Sequence, residues 1–452
     1  MDVLLFVLGV ALAALGIGAS IALHEIGHLV PAKRFGVKVT QYMVGFGPTL
    51  WSRARGETEY GVKWIPLGGY IRMVGLYPPP HGAPEGSYRP GTTGRFAVLA
   101  EEARQQAWEE VETGDENRLF FRLSVPKKVT VMMGGPLMNL LIATFTCTVL
   151  LCAIGLPTAS TQLREVVSCI PPAVSSQAAA EAALSGSAGA SGECTTGDPV
   201  SPAKAAGLVA GDTIVAVDGV ETTKWSDVTA KTRPHPGTTV TLTVRDGSGT
   251  ERAVPVTIAT AWGQALDADG QPTGDVTQVG YLGIMAAIHY VPQPISAVPG
   301  QMWDLSVASA KSLVGFPVRV AQLAGDLATG EARDPNSPVS VVGVGRISGE
   351  VAAADEPVKA KATLLLSLLA SLNLFLFLFN LIPLLPLDGG HVAGALWEGL
   401  RRQLARLRGL ADPEPVDMAR MLPVTYVVVM VLVAMSAVVI LADIVNPIRL
   451  FG

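Results

Sequence analysis

Apolar positions along the chain gather into four long runs, 3–23, 129–156, 362–387 and 422–442. A helix needs about 18 or more such residues to cross a hydrocarbon layer, so the pattern predicts four transmembrane helices. The third run contains Asn373 and Asn380. A signal peptide is the competing reading of the first run. It would carry a basic stretch ahead of the apolar residues, whereas the only charge there is Asp2.

Between the first two runs the period changes. VKVTQYMVGFGP and ETEYGVKWIPLGGYIRM alternate apolar and polar residues around Gly45, Gly47, Pro48, Gly68 and Gly69, which predicts a short sheet against the membrane within 37–80. Residues 81–128 read as a loop, rich in Pro, Gly and Ser at 77–95, followed by a short amphipathic helix at 96–112. Residues 157–203 read as a linker whose segment 171–203, rich in Ala, Ser, Gly and Pro, is a flexible insertion. A compact unit over 204–290 follows. It pairs AAGLVAGDTIVAVDGVETTKWSDV with the β-rich TTVTLTVRDGSGTERAVPVTI and a closing YLGI. Residues 291–360 mix helix and loop, with Pro335 and Pro338 as breakers. The remaining boundaries are 1–36 and 129–156 for the first two spans, 361–400 for the third, 401–421 for a connection and 422–446 for the fourth.

Composition agrees with a membrane protein. Charged residues are 16% and hydrophobic residues 49% of the chain, against roughly 25% charged in soluble domains. The net charge of −5 points to no nucleic-acid partner. Residues 31–128 hold 14 Lys and Arg against 10 Asp and Glu, while 157–360 hold 12 against 20. Arg401, Arg402, Arg406 and Arg408 crowd the last connection. Basic residues stay inside, so 31–128 and 388–421 are expected in the cytoplasm, and 157–360 outside with both termini. Cys147 and Cys152 read as packing residues of the second span. Cys169 and Cys194 fall in the outer segment, where a disulfide is permitted; their spacing leaves the pairing open.

The chemistry begins at HEIGH, His24-Glu25-Ile26-Gly27-His28. Residues four apart share one helix face, about 6 Å apart along the axis. Two imidazoles so placed can hold one zinc ion, with the intervening glutamate as general base towards a water. His24 falls about 30 Å along a helix begun at Val3, near the edge of the hydrocarbon, where ionisable groups mark function by default. A catalytic zinc needs a third protein ligand. NLFLFLFNLIPLLPLDGGH supplies Asp388, with His391 as a rival. Pro383 and Pro386 break the helix there, and Gly389-Gly390 would allow a sharp turn.

HEIGH followed much later by NLIPLLPLDGG resembles the site-2 protease family of intramembrane zinc metalloproteases, and within it the bacterial regulator-of-sigma-E protease branch. The two stretches match the family forms HExxH and NxxPxxxLDG. GFGP, IPLGGYIRM and GGPLMN add to the likeness. The resemblance implies an α-helical polytopic membrane protein of about four transmembrane helices, with a membrane-associated β-region and an extracytoplasmic PDZ-like α+β domain. It implies zinc on His24, His28 and Asp388, with Glu25 as general base. Asn380 would hold substrate or a developing oxyanion. Asn139 and Asn373 are further candidates on the substrate side, with helix packing as the equal alternative. The β-region edge would pair with an unwound substrate.

Implied partners are the lipid bilayer and single-span membrane proteins, such as an anti-sigma factor already cut by another protease, or remnant signal peptides. The enzyme would sit in the cell membrane with its active site towards the cytoplasm. One PDZ-like unit is recognisable where the branch has two. A metal transporter and a non-catalytic scaffold are the rival readings. The first would need paired pseudo-symmetric segments, and the second would tolerate degenerate metal motifs.

Overall fold

The computed structural model describes residues 2–448 except 79–100, 103, 106, 110, 185–193, 195–196, 267–271, 332 and 335. It divides into two compact units, Met1–Ala153 with Pro294–Gly452, and Ile154–Gln293.

The first unit opens with α1 (Val3–Arg34). Asp2 caps it, accepting the Leu4 N–H at 2.9 Å. It stops where Gly36 turns to a φ of 82° and the Val37 N–H returns to Ala32 O at 3.0 Å. Two long strands, β1 (Val39–Arg55) and β2 (Thr58–Met73), form an antiparallel hairpin. The Tyr42 hydroxyl donates to Ala22 O at 2.8 Å and ties this hairpin to α1. Much of the expected helix at 96–112 lies outside the described residues. The next helix, α2 (Val125–Thr148), runs into a π turn over Val149–Ile154.

The second unit contains β3 (Leu156–Val166), α3 (Gln177–Leu184), α4 (Pro202–Ala205), β4 (Thr213–Val217) and β5 (Val220–Glu221). It continues through α5 (Trp225–Thr232), β6 (Thr239–Arg245), β7 (Glu251–Thr257), the hairpin β8 (Ala259–Leu266) and β9 (Pro272–Tyr281), and β10 (Ile284–Val291). Its main sheet runs β10-β3-β4-β6-β7, with β5 on β4. Leu163, Leu208, Ile214, Leu242 and Ile258 fill the core. Here the structure departs from the expected boundary at 204. The stretch read as linker supplies β3, a central strand. LPTASTQLREV buries only Leu163 fully, so it lacks the alternation that announces a strand. Cys169 and Cys194 are joined in a disulfide, whereas Cys147 and Cys152 are free thiols.

Returning to the first unit, α6 (Val298–Thr329), α7 (Val341–Ala353), α8 (Val358–Asn380), α9 (Asp388–Leu407) and α10 (Leu422–Val445) complete the chain. Four helical stretches are long and apolar enough to cross a bilayer: Val3–Arg34, Val125–Ile154, Val358–Asn380 and Met418–Val445. The third ends at Asn380, short of the expected 387. Pro383 and Pro386 cannot donate to a continuing helix, so the chain turns and restarts at Asp388. Gly389 and Gly390 are themselves helical and make no sharp turn. They permit close approach instead, since a Cβ on Gly390 would stand 2.7 Å from Leu385 N.

Candidate metal centre

α1 and α2 cross at glycines. A Cβ on Gly27 would fall on Gly134 O, and one on Gly134 on Gly27 O. Small residues let membrane helices pack backbone to backbone. Pro31, four residues after Gly27, lacks the N–H that would bond the Gly27 carbonyl within the helix, so that oxygen is free to face Gly134. This crossing brings the start of GGPLMN against the HEIGH turn. Beside it, a Cβ on Gly135 would overlap His28 Nε2 and lie 2.7 Å from His24 Nε2. The space into which both imidazoles point exists because residue 135 has no side chain.

The turn after α8 delivers the third group. Asp388, first residue of α9, places Oδ2 3.3 Å from His24 Nε2 and 3.4 Å from His28 Nε2. The two Nε2 atoms are 3.2 Å apart. His24, His28 and Asp388 thus converge as the one candidate metal cluster among the described residues. His391 lies one turn further along α9, beside Lys128, Glu398 and Met418, outside the trio.

Proton placement tests whether a cation fits. His28 Nδ1 donates to Val131 O at 2.8 Å, which leaves the Nε2 lone pair facing inward. His24 Nδ1 lies 3.1 Å from the side-chain amide of Asn139, whose Oδ1 otherwise lacks a partner. With that amide turned so that Oδ1 accepts a His24 Nδ1–H, the second Nε2 lone pair faces inward too. Asp388 Oδ2, buried, has no donor of its own. Three electron-rich atoms therefore face one another with no proton between them. A tetrahedral zinc with bonds of about 2.0–2.1 Å holds neighbouring ligand atoms about 3.3 Å apart, the spacing found. The residues fit a zinc ion.

Glu25 follows His24 on α1 and is buried. Gly69 of β2 packs on it, since a Cβ there would stand 2.8 Å from Glu25 Cγ. The hairpin therefore reaches the centre. Burial, and secondly the Glu25 carboxylate, push the Tyr42 phenol up to about 12, so it remains a hydrogen-bond donor at neutral pH. The three asparagines differ in placement. Asn139 contacts His24. Asn373 donates to Ser20 Oγ at 3.0 Å and to Leu369 O at 2.9 Å, a buried packing bond between α8 and α1. Asn380 is the last residue of α8, where the turn to Asp388 begins. Sequence reasoning missed Gly69, Gly135 and the Val131 carbonyl. The glycine pair in GGPLMN was the available signal for Gly135; a backbone acceptor such as Val131 O leaves none.

Comparison with known proteins gives concordant matches. The model of peptidase family M50 matches residues 12–411. "Zinc metalloprotease Rip1" of Mycobacterium tuberculosis strain H37Rv is 35% identical over 462 residues, covering 99% of this chain and 100% of that protein. Its namesake in Mycolicibacterium smegmatis is 34% identical over 461 residues, with the same coverage. "Zinc metalloprotease RasP" of Geobacillus kaustophilus is 26% identical over 285 residues, covering 53% of this chain and 60% of its own.

Proposed function

The chain belongs to peptidase family M50 and is a zinc metalloprotease, and from that premise we propose that it hydrolyses peptide bonds in the transmembrane segments of single-span membrane proteins. The observation that carries this reading is the convergence of three inward lone pairs, two from His24 and His28 on a helix long enough to cross a bilayer and one from Asp388, eight residues past the end of another. Bound there, zinc supplies a Lewis acid that polarises a carbonyl and acidifies a water.

This chain's own residues do the rest. His24, His28 and Asp388 hold the ion, and Val131 O and Asn139 hold the two imidazoles in the ligating tautomer. Glu25, buried between the two histidines in sequence, takes a proton from the attacking water and returns it to the leaving amine. Asn380, at the end of α8, offers an amide to substrate or to a developing oxyanion. Strand β2 passes Glu25 at Gly69, so an unwound substrate segment can add to the hairpin edge beside the base.

The unit Ile154–Gln293 serves as a PDZ-like recognition domain. Among the described residues β10 pairs in the main sheet only with β3, which leaves an edge for an extended peptide. Its disulfide Cys169–Cys194 favours an oxidising, extracytoplasmic setting, and the arginines of α9 favour the cytoplasm for the metal end. Anti-sigma factors already cut outside the membrane, or remnant signal peptides, are the substrates this arrangement suits.

The test is Glu25→Gln in the full chain. It should retain zinc, since no ligand changes, and lose cleavage of a single-span reporter by about 10²–10⁴-fold. Undiminished turnover would sink the mechanism. Membrane proteins that accumulate in cells carrying this variant would identify the substrate, and accumulation confined to soluble proteins would refute the substrate class.

A further inference from the structure

The helix that positions Asp388 has a second face, unused by the metal centre. On its inner side α9 is fastened to the protein. Glu398, 2% exposed, accepts two bonds from Lys128 Nζ at 2.8 and 2.9 Å and one from Arg402. Gly399 lies against Val125, and Gly394 against Met418. On its outer side Leu396, Trp397, Leu400, Leu404 and Leu407 are exposed, Trp397 at 55% and Leu407 at 84%. At 100° per residue these five positions form one stripe about 100° wide, opposite Glu398 and Ala405. Arg401 and Arg408 border the stripe on one flank and Arg406 lies towards the other. Arg402 is engaged by Glu398, but these three have no ion-pair partner among the described residues.

The inner contacts fix where this stripe lies. Val125 is the first residue of the candidate span Val125–Ile154, and Met418 the first of Met418–Val445. Asn380, the last residue of a third span, is eight positions before Asp388. α9 therefore runs along the level at which three membrane helices begin or end. An amphipathic helix at that level, with leucines and a tryptophan outward and arginines at their margin, has the character of an interfacial membrane element.

We propose that α9 docks on an anionic phospholipid surface, its leucine and tryptophan stripe among the acyl chains and Arg401, Arg406 and Arg408 on the headgroup phosphates. Each arginine near such a surface contributes attraction, and the stripe contributes its apolar area. Asp388 is the first residue of this helix, so the lipid surface steadies the metal ligand from outside as Lys128–Glu398 does from inside. The inference rests on the four-span reading but not on peptide hydrolysis.

The full-length zinc-loaded protein is reconstituted in phosphatidylcholine vesicles and in phosphatidylcholine–phosphatidylglycerol vesicles, and backbone hydrogen exchange is followed over residues 396–408. Exchange should be about tenfold slower in the anionic vesicles at low salt, and the difference should shrink as salt is raised. The variant R401Q/R406Q/R408Q should abolish the difference while keeping zinc content and cleavage in neutral vesicles. Equal exchange in the two vesicles, or a difference that survives the triple variant, overturns the proposal. Protection that appears only on adding a soluble protein fraction also overturns it, in favour of a protein partner. A chain that shows the lipid-dependent difference yet cleaves no reporter refutes the proposed function and leaves the lipid surface standing.

Discussion

Two polar clusters lie buried in the unit Met1–Ala153 with Pro294–Gly452, and their bookkeeping of donors and acceptors is opposite. Around Asp443, near the end of α10, every partner is present. Arg333 donates to Asp443 Oδ1 at 2.7 Å and to Ser337 Oγ at 2.7 Å, while Asp443 Oδ2 accepts from Ser340 N at 2.7 Å and Gly343 N at 3.2 Å. Both charged side chains are 2% exposed. Around Asp388 the outward nitrogens are matched but the inward atoms are all acceptors. A buried polar group without a partner is costly. A cluster that closes its own hydrogen bonds is a fastening, and one whose inward atoms are all acceptors is a candidate site for a cation.

The largest expected effect breaks the open cluster. Gly135→Ala puts a methyl where His28 Nε2 stands, so metal content should fall to near zero and cleavage by more than about a hundredfold. Stoichiometric zinc in that variant would contradict the geometry.

Next comes the closed cluster. Asp443→Ala strands Arg333 in a buried setting and should cost about 3–5 kcal/mol of stability, read as a lowered unfolding temperature in detergent, with zinc still bound by the folded fraction. The paired change Arg333→Met with Asp443→Leu should restore most of that loss. If instead Asp443→Ala folds normally but loses zinc, the two clusters are not of separate kinds.

Asn139 sharpens the comparison on a smaller scale. Removing its amide in Asn139→Ala should weaken zinc binding about 10–100-fold in a chelator competition. Asn139→Asp keeps an oxygen for His24 Nδ1 and should recover most of the affinity. Equal affinity for all three would return Asn139 to a packing or substrate role.

The smallest effect concerns a closed ion-pair group outside the spans. Lys38 Nζ bonds Asp115 at 2.6 Å and Glu112 at 2.8 Å. Hydrogen bonding to Lys38 first, then its charge and Arg118, hold the Asp115 carboxyl below the usual carboxylate range. The unfolded chain therefore binds this proton more readily than the folded one. Its stabilisation is present above about pH 4 and fades as pH falls through the lowered folded value. Asp115→Asn should flatten the acid limb of an unfolding-temperature profile slightly and leave zinc binding unchanged; an altered metal content would link this group to the site.

Much of the molecule was legible because its signals are local. Four apolar runs needed only length, HEIGH needed only helical spacing, and Asp388 stood out as a polar residue between helix breakers in apolar surroundings. Strand β3 was hidden because a strand buried at one position has no period to read. The role of Asn373 was hidden for another reason. An asparagine in a span serves packing or chemistry equally well until its neighbour is known, and that neighbour is Ser20, some 350 residues earlier in the chain.

The sequence by itself narrowed the candidate zinc ligands to His24 and His28 with Asp388 or its rival His391, at the margin of apolar runs, because donor type and hydropathy belong to single residues. Only the tertiary structure decided that Gly27 and Gly134 cross, that Gly135 clears the space, and that Val131 and Asn139 turn both imidazoles inward. Only it showed that the Asp388 helix turns a bare apolar face outward. Proton placement and steric clearance are properties of pairs of atoms brought together by packing, and no periodicity along one chain encodes which distant backbone atom will be the partner.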